Sequence, residues 1–503
     1  MQNDDLIFVD TVALERGELP SFAYEAHQVR EIDRVLIEDQ GIPGLTLMKR
    51  AASAAVSLIG TRWPEAKSIR VYCGSGNNAA DGYIVAGLLA QQQLNVEVLQ
   101  IGDVTKLSVD GQSALNFCDQ SSAVMTTQID RSFVPDVVVD ALLGTGFRGE
   151  LRGEYALAID SINDSQFPVL ALDVPSGIAL DAFSSGQAAR AVRAEATVTF
   201  IGLKQGLLTG AAIDNIGDLY FAPLVDSSKA MGGLLTELLE LSTLRACLPE
   251  RPKDAHKFRF GHVLVVGGAE GMGGAPLMTA LAAMRAGAGL VTLATHPSHA
   301  NQLVGLHPEI MIRGVENSKQ LATLIEGASL IAIGPGLSTE SWGKEMFDEV
   351  VSSNLPLVVD ADGLNILAHR NIKRDNWILT PHPGEAKRLL GRAYDDRFAA
   401  VEQLQADYGG VAILKGAGTL IANAQGISLC LYGNPGMSTA GMGDVLCGVI
   451  AGVLAQSQDL DLSAKLGVVL HSAAADSLVG QFGVRGLFAT DLIPEVRSLI
   501  NNV

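Results

Sequence analysis

The chain has 503 residues, which is too long for one ordinary hydrophobic core and predicts two or more domains. It is 48% hydrophobic and 18% charged and contains 54 glycines, a composition typical of compact α/β domains and not of a disordered or fibrous chain. The formal net charge of −19 argues against a protein that coats nucleic acid, since that role needs basic stripes, but backbone N–H groups can still hold a small anion.

The five cysteines are far apart, odd in number and without a C-x-x-C pair, so we predict neither a zinc site nor a disulfide framework. The sequence opens on acidic residues and has no long apolar core near its start, so we expect no signal peptide. No uninterrupted apolar segment of membrane length follows. We therefore expect a cytoplasmic protein with no membrane and no nucleic-acid partner.

Short β-branched runs alternate with helical patterns along most of the chain. Nearly continuous apolar runs that end in Gly or Asp and lead into a helix indicate parallel strands buried on both faces, with ligands at their carboxyl ends. The two halves do not look like repeats, and the rhythm breaks around residues 225–255, where a connecting helix is predicted. We place the boundary near residue 234, which gives domains 1–234 and 235–503. The predicted strands are 68–74, 95–102, 135–144, 168–177, 196–202, 262–268, 290–295, 329–336, 356–363, 376–382 and 411–418.

A glycine-rich turn, GSGNNAADG, follows the first of these strands. Gly74 and Gly76 allow a tight turn, and the next helix is predicted to begin near Ala79. The spacing is not G-x-G-x-x-G, so the turn alone is a weak sign of dinucleotide binding. The alternative is that Asn77 and Asn78 form a left-handed turn and a helix cap.

Two further strand ends carry polar residues. Asp140 ends one strand and precedes the glycine-rich loop 144–149, whose arginine suits a pyrophosphate, while Asp173 and Ser176 follow another strand. In a parallel sheet these ends and the Asn77–Asn78 turn can converge on one crevice. Carboxylate, amide and hydroxyl oxygens suit an alkali or alkaline-earth cation, not zinc. Asp173, fixed two residues before a proline, is placed to transfer a proton.

The stretches CGSGNNAADG, VDALLGTGFRGEL, ALDVPSGI and TVTFIGLKQGLLTG together resemble the NAD(P)H-hydrate epimerase family. The resemblance implies a Rossmann-like three-layer domain that binds hydrated NADH or NADPH beside a potassium ion, with Asp173 next to the reacting ring as the acid–base candidate. The implied potassium ligands are Asn78, Asp140 and Ser176. The implied hydrate contacts are Asn77, Asn78, Ala79, Ala80, Asp81, Gly144, Thr145, Gly146, Phe147, Arg148, Gly149, Glu150 and Asp173.

One departure from that family concerns Ala79 and Ala80, which stand where two glycines are usual. Two methyl groups at a close backbone approach would narrow the path of the ligand, although alanine also suits the start of a helix.

The second half has its polar motifs at strand ends as well. LTPHPGEAKRLLG places His382 before a helix, VAILKGAG places Lys415 at a strand end, and NPGMSTAGMGD ends on Asp444 where a helix begins. Separately they have structural alternatives: a turn residue, a solvated charge and a helix cap. Together they match what phosphoryl transfer needs, which is donors around a phosphate and an ionised carboxylate beside the acceptor hydroxyl. The Walker A lysine is absent, so this is not a P-loop enzyme.

The stretches HKFRFGHVLVVGG, GGAPLMTALAAMRAGAGLV, IGPGL, DADGLNIL, LTPHPGEAKRLLG, LKGAGT and NPGMSTAGMGDVLCG resemble the ADP-dependent NAD(P)H-hydrate dehydratases. The resemblance implies a ribokinase-like α/β domain that uses ADP and Mg²⁺, with Asp444 as the base. For Asp360 and Asp362 we favour strand-end caps over a link to magnesium. The implied nucleotide contacts are Lys415, Gly416, Ala417, Gly418, Thr419 and Gly443, and the implied hydrate contacts are Ala275, Gly336, His382 and Asp444.

Both families in one chain, epimerase first, resemble the bifunctional NAD(P)H-hydrate repair enzymes. That arrangement implies interconversion of the R and S hydrates and ADP-driven dehydration of the S form, which gives AMP and phosphate. We also expect a homo-oligomer. The alternative is a ribokinase-like small-molecule kinase with a non-catalytic N-terminal binding module.

Overall fold

The structure, a computed structural model, describes residues 12–13, 20–130, 132–180, 190–225 and 235–502. The chain forms two compact units, Met1–Thr236 and Glu237–Val503. The boundary predicted near residue 234 lies in 226–234, outside the described residues.

The first unit alternates strands and helices. Its strands are β1 (Val12–Ala13), β2 (Phe22–Ala23), β3 (Ser68–Cys73), β4 (Asn95–Gln100), β5 (Val124–Thr126), β6 (Val137–Ala141), β7 (Val169–Leu172), β8 (Ala196–Phe200) and β9 (Asp218–Ala222). Its α-helices within the described residues are α1 (Ala26–Arg34), α2 (Gly44–Arg62), α3 (Asn77–Gln91), α4 (Val109–Asp119), α5 (Gly153–Asn163) and α6 (Ile213–Ile216).

The sheet of the first unit has the order β1-β9-β8-β7-β6-β3-β4-β5 and is parallel except for β1. Successive strand residues face different cores: Val139 packs with α2 and α3, whereas Val138 packs with α5. Helices therefore cover both faces, which explains the continuous apolar runs and gives the predicted Rossmann-like three-layer arrangement. The helix predicted to begin near Ala79 begins two residues earlier, because Gly76 is its N-cap.

The second unit continues the alternation. Its strands are β10 (Thr236–Leu238), β11 (His262–Val266), β12 (Leu290–Thr295), β13 (Met311–Gly314), β14 (Leu330–Ile333), β15 (Leu357–Val359), β16 (Trp377–Leu379), β17 (Val411–Leu414), β18 (Thr419–Asn423) and β19 (Gly426–Cys430). Its helices are α7 (Leu241–Ala246), α8 (Gly274–Arg285), α9 (Pro297–Leu303), α10 (Ser318–Ile325), α11 (Ser341–Ser352), α12 (Ala361–Leu367), α13 (Pro383–Leu390), α14 (Arg397–Tyr408), α15 (Met442–Ser457), α16 (Leu460–Phe482) and α17 (Leu492–Asn501). The connecting helix predicted in 225–255 is α7.

Within the second unit the sheet has the order β13-β12-β11-β14-β15-β16-β17-β18-β19-β10. The strands from β13 to β17 in this order are parallel, and β18 is antiparallel to both of its neighbours, β17 and β19. The small-residue helix α8 packs closely on α15. A Cβ added to Gly448 would lie 2.2 Å from the carbonyl oxygen of Thr279, and one on Gly452 would lie 2.4 Å from that of Ala283. Glycine is required there because the two backbones touch.

One helix in the described part of the chain, α16, is long and apolar enough to cross a membrane by length and composition. Two thirds of its most apolar window is buried inside the fold, where Val469 and Leu470 join the main core of the second unit. Packing in that core accounts for its apolar character. The five cysteines are free in the structure.

Candidate active sites

The polar residues predicted for the first unit lie at the carboxyl ends of three strands that are neighbours in the sheet, β3, β6 and β7. These ends open into a cavity of about 820 Å³. Of the predicted contacts, the cavity is lined by Asn77, Asn78, Asp81, Gly144, Thr145, Gly146, Phe147, Arg148 and Asp173. The crevice inferred from parallel-sheet geometry therefore exists, and the glycine turn and the loop that begins at residue 144 form part of its walls.

Four predicted hydrate contacts do not line this cavity. Ala79 and Ala80 are fully buried in the core with residues of α2 and the sheet, and neither lines the cavity. Their methyl groups therefore do not narrow the cavity, and the concern raised by the missing glycines does not apply. Gly149 and Glu150 also lie outside the lining, and Glu150 forms an exposed ion pair with Arg152 at 2.7 Å.

Asp173 follows β7 in the left-handed backbone region, at φ +63°, where a residue other than glycine is strained. Its carboxylate is ion-paired with Lys204, whose side chain is only 1% exposed. The Lys204 ammonium also donates to Thr199 Oγ1 at 2.9 Å and to the carbonyl oxygen of Phe200 at 2.8 Å. All three of its protons have acceptors, so it holds the Asp173 side chain in place at the cavity wall.

Lys204 was not among the predicted site residues, although it is the only charged residue in the stretch TVTFIGLKQGLLTG. A lone lysine among apolar residues just after a buried strand is a usable signal, because a buried ammonium needs an anionic partner.

The three predicted potassium ligands are joined through one loop. Ser176 donates from Oγ to Asp140 Oδ1 at 2.6 Å and from its backbone N–H to Asp140 Oδ2 at 2.7 Å. The N–H of Leu143 donates to Ser176 Oγ at 2.8 Å, and the carbonyl oxygen of Leu143 accepts from Asn78 Nδ2 at 2.8 Å. Burial raises the pKa of Asp140 to about 6, although these hydrogen bonds oppose the rise.

Asn78 does not cap the helix, in contrast to the alternative considered for it. It is the second residue of α3 and caps nothing, and its Oδ1 is buried without a hydrogen-bond partner. A buried amide oxygen left unpaired is costly, so this oxygen is available to accept a hydrogen bond or to ligate a cation.

In the second unit, the predicted residues again follow neighbouring strands. Gly336 follows β14, Asp360 follows β15, His382 follows β16 and Lys415 follows β17. Ala275 lies in the first turn of α8, where it contacts the glycine: a Cβ on Gly336 would be 3.4 Å from that of Ala275. The sheet therefore brings the two predicted hydrate contacts, Ala275 and Gly336, together.

Lys415 is not a solvated charge. Its Nζ lies 2.6 Å from Asp360 Oδ1 and 4.0 Å from Glu385 Oε2, and both carboxylates are buried. Burial alone would lower the pKa of Lys415, but the charges of Asp360 and Glu385 outweigh it and raise that pKa. Asp360 therefore makes no cap bond with its side chain; it pairs with Lys415 and accepts from Thr380 Oγ1 at 2.7 Å. Asp360 thus holds the N-cap position of α12, but its carboxylate does not cap the helix.

Gly443 links this ion pair to the N-terminus of α15. A Cβ at that position would lie 3.3 Å from both Lys415 Nζ and Asp360 Oδ2. Two predicted nucleotide contacts, Gly443 and Lys415, therefore lie side by side.

The remaining predicted nucleotide contacts form a tight loop after β17. Gly416 and Gly418 have φ of +139° and +61°, and Thr419 Oγ1 donates to the carbonyl oxygen of Gly416 at 2.9 Å. The guanidinium of Arg397 donates to the carbonyl oxygen of Gly418 at 3.3 Å. Ala417 lies between the two glycines. Arg397 thus stabilises the loop by donating hydrogen bonds to its carbonyl oxygens.

His382 is the N-cap of α13, whereas its structural alternative was a turn residue. Its Nδ1 accepts from the N–H of Gly384 at 2.9 Å, and Glu385 Oε2 accepts from the His382 N–H at 2.8 Å, which completes a capping box on α13. Burial and the charge of Lys415 lower the pKa of His382, so the ring is neutral at pH 7. Burial raises the pKa of Glu385 to about 7.

Asp444 is the third residue of α15, and Gly441 holds the N-cap position, so Asp444 is not the cap of this helix. Burial, with the nearby charge of Asp360, raises the pKa of Asp444 to about 6. Thr279 Oγ1 donates to its backbone carbonyl at 2.9 Å and fixes the turn. Within the described residues its carboxylate has no hydrogen-bond or ion-pair partner, unlike those of Asp360 and Glu385.

Comparison with known proteins gives matches to both units. Residues 44–206 match the family described as YjeF-related protein N-terminus, and residues 263–497 match the family described as NAD(P)H-hydrate dehydratase. A solved ribokinase-like superfamily protein from Enterococcus faecalis is 29% identical, covers 54% of this chain and 99% of its own, and superposes with a TM-score of 0.51.

Two similar relatives are called bifunctional NAD(P)H-hydrate repair enzymes. The one from Coxiella burnetii is 45% identical and covers 95% of this chain and 99% of its own. The one from Vibrio cholerae is 40% identical and covers 96% of this chain and 99% of its own. Because the likeness extends through both units at this level of identity, the chain belongs to the family of bifunctional NAD(P)H-hydrate repair enzymes.

Proposed function

We propose that the first unit interconverts the R and S forms of hydrated NADH and NADPH, and that the second unit dehydrates the S form with ADP, giving AMP and phosphate. Family membership and the two sites support this proposal. Hydration of the ring gives two epimers, so a stereospecific dehydratase needs an epimerase to use both. The cytoplasmic location and the homo-oligomeric state stay predictions.

The observation that carries the dehydratase proposal is the free carboxylate of Asp444 at the start of α15, beside the Lys415–Asp360 pair. A carboxyl group whose pKa is about 6 is mostly ionised at pH 7 and can accept the proton of the hydrate's hydroxyl. The N-terminus of α15 and the Lys415 ammonium stabilise the phosphate of the bound nucleotide. Transfer of that phosphate turns the hydroxyl into a leaving group. The C–O bond then breaks with its electron pair leaving on phosphate, and loss of a proton from the adjacent ring carbon restores the dihydronicotinamide.

For the epimerase we propose that Asn78, Asp140 and Ser176 hold potassium. The unpartnered Oδ1 of Asn78 and the buried carboxylate of Asp140 are hard oxygen donors of the right class. The ion would stabilise the phosphates of the bound hydrate. The proton transfer stays with Asp173, which Lys204 fixes at the cavity wall.

Magnesium fits the described side chains less well. Asp360 is engaged by Lys415 and Thr380, and Asp362 accepts from the N–H of Ser338 at 2.9 Å. Among the described residues no group of three His, Cys, Asp or Glu side chains could hold a metal ion. We propose that magnesium arrives on the phosphates of the nucleotide, as is common for this ion.

The test is to supply a mixture of hydrate epimers with ADP, and separately with ATP, and to follow dihydronicotinamide absorbance and free phosphate. We expect both epimers to be consumed, faster with ADP, with phosphate released. Accumulation of a phosphorylated product without recovery of the reduced cofactor would favour the kinase alternative. Consumption of only one epimer would favour a non-catalytic first unit.

A further inference from the structure

Asp81 is the unexplained carboxyl group of the first site. It lies on α3 one turn after Asn78, lines the same cavity as Asp173, and its Oδ1 is buried without a hydrogen-bond partner. Nothing in the roles given above uses this side chain as more than a contact. A buried carboxylate without a partner would be costly, whereas a carboxylic acid that can donate to a bound hydroxyl would not be.

We propose that Asp81 is the general acid of epimerisation and acts together with Asp173 as the general base. This inference rests on the proposed epimerase function and assigns the two proton transfers that the reaction requires. The two groups come from different elements, α3 and the end of β7, and face one cavity.

The surroundings of the two carboxyl groups differ in the way these roles require. The Lys204 ammonium is ion-paired with Asp173, and each of its three protons has an acceptor, so none is available to Asp81. The charged groups that act on Asp81 are Asp173, Asp33 on α1 and, with the smallest effect, Lys204. The other ionisable groups that line the cavity are Arg30, Asp110, Arg148 and Tyr155.

Burial, followed by the negative charges of Asp173 and Asp33, raises the pKa of Asp81 well above its usual range. The N-terminus of α3 favours the ionised form, but that effect is much smaller than the burial of a carboxyl group. One carboxyl group is thus ion-paired and the other has an unpartnered oxygen, and a pair of carboxyl groups in such different environments is the usual basis of acid–base catalysis.

The chemistry balances with these two groups and one water. The hydrate carries its hydroxyl on the ring carbon next to nitrogen. Asp81 gives its proton to that hydroxyl, the C–O bond breaks with its electron pair leaving on water, and the nitrogen lone pair forms a C=N bond. A water then adds to the opposite face of the carbon, the C=N π pair returns to nitrogen, and Asp173 takes the proton of the water. Proton return from Asp173 to Asp81 through solvent completes the cycle without an oxidant or reductant.

The test uses the full-length chain with purified hydrate epimers and no nucleotide, so that only epimerisation is measured. We expect Asp81→Asn, which keeps the shape of the side chain, to lower the epimerisation rate by about 10²–10⁴-fold. Dehydration of the S epimer with ADP, which takes place in the second unit, should stay normal, and circular dichroism of the variant should match that of wild type. Asp164→Asn is the matched control, because Asp164 is an exposed carboxylate at the end of α5.

The pH profile separates an acid from a merely structural residue. A general acid must be protonated, so the wild-type epimerisation rate should fall as pH rises through the pKa of Asp81, and this alkaline fall should be lost in Asp81→Asn. An Asp81→Asn protein that epimerises at the wild-type rate would overturn the inference. So would a wild-type rate that does not fall at alkaline pH, whether or not the variant folds. A wild-type protein that leaves the epimer ratio unchanged would overturn the proposed function itself and the inference with it.

Discussion

Replacing Lys415 by methionine tests how the second site is held together. The substitution keeps much of the buried length of the side chain but removes the ammonium that pairs with Asp360 at 2.6 Å. Asp360, which is 1% exposed, then remains as a buried carboxylate without its cation. We expect a large loss of stability, because an uncompensated buried charge is more costly than the ion pair was favourable.

The magnitude follows from what remains around Asp360. Breaking a buried pair by removing one partner costs about 3–5 kcal/mol. Thr380 Oγ1 still donates to Asp360 at 2.7 Å, so the lower end, about 3 kcal/mol, applies here. For a unit of this size that corresponds to a fall in Tm of roughly 6–12 °C. The double variant Lys415→Met/Asp360→Asn removes both charges and should recover to within about 1 kcal/mol of wild type.

Tryptophan fluorescence can report on the second unit alone. The chain has three tryptophans, of which Trp342 and Trp377 lie in the second unit and Trp63 in the first. In a Trp63→Phe background, thermal unfolding followed by fluorescence monitors the second unit. Lys319→Met, which removes an exposed ammonium from α10, serves as the matched control and should leave Tm unchanged.

Two results would refute this reasoning. One is a Lys415→Met protein with the Tm of wild type, which would mean that the pair contributes nothing to the fold. The other is a double variant as unstable as the single variant, which would assign the loss to the lysine alone and not to the stranded carboxylate.

Three further predictions concern activity. Asp444→Asn should lower the dehydration rate by about 10²–10⁴-fold with nucleotide binding retained. The wild-type rate should be full well above pH 6 and should fall as the pH drops through the Asp444 pKa of about 6, since the base must be ionised. Near-normal turnover of a folded variant would remove Asp444 from the mechanism. Lys204→Met should abolish epimerisation while the S epimer is still dehydrated normally, because Asp173 loses the cation that fixes it; a variant that exhausts both epimers at the wild-type rate would contradict this. Replacing potassium by a larger organic cation such as tetramethylammonium, or Asp140 by alanine, should slow epimerisation but not dehydration, and equal rates in both salts would exclude a potassium requirement.

The order of strands in each sheet could not be predicted from the sequence, but the strand ends that carry the site residues could. Apolar runs that end in Gly or Asp identified the strand ends where Asp173, His382 and Lys415 lie, because parallel strands place ligands at their carboxyl ends. The structure then placed these ends on neighbouring strands, β6–β7 and β16–β17. Periodicity is local, whereas strand order is fixed by packing between segments far apart in the chain.

The corrections share one physical cause. The cap interpretations of Asp360 and Asp444 and the concern about Ala79 and Ala80 all depended on where a side chain points. A local pattern shows that an acid stands near a helix start, but only tertiary contacts show that Asp360 is paired with a lysine 55 residues later. The direction in which a side chain points depends on which face of its helix packs against the core, and packing against the whole sheet determines that face.

By itself the sequence determined the α/β class, the two-domain organisation and the motifs that carry the chemistry, because short-range patterns of apolar residues, glycines and acids encode them. Only the tertiary structure decided that Lys204 holds Asp173, that Asn78 and Asp81 each keep an unpartnered oxygen, and that Asp444 stays free beside a buried ion pair. Whether a charged group is compensated depends on burial and on partners that are distant in sequence, and both exist only once the chain has folded.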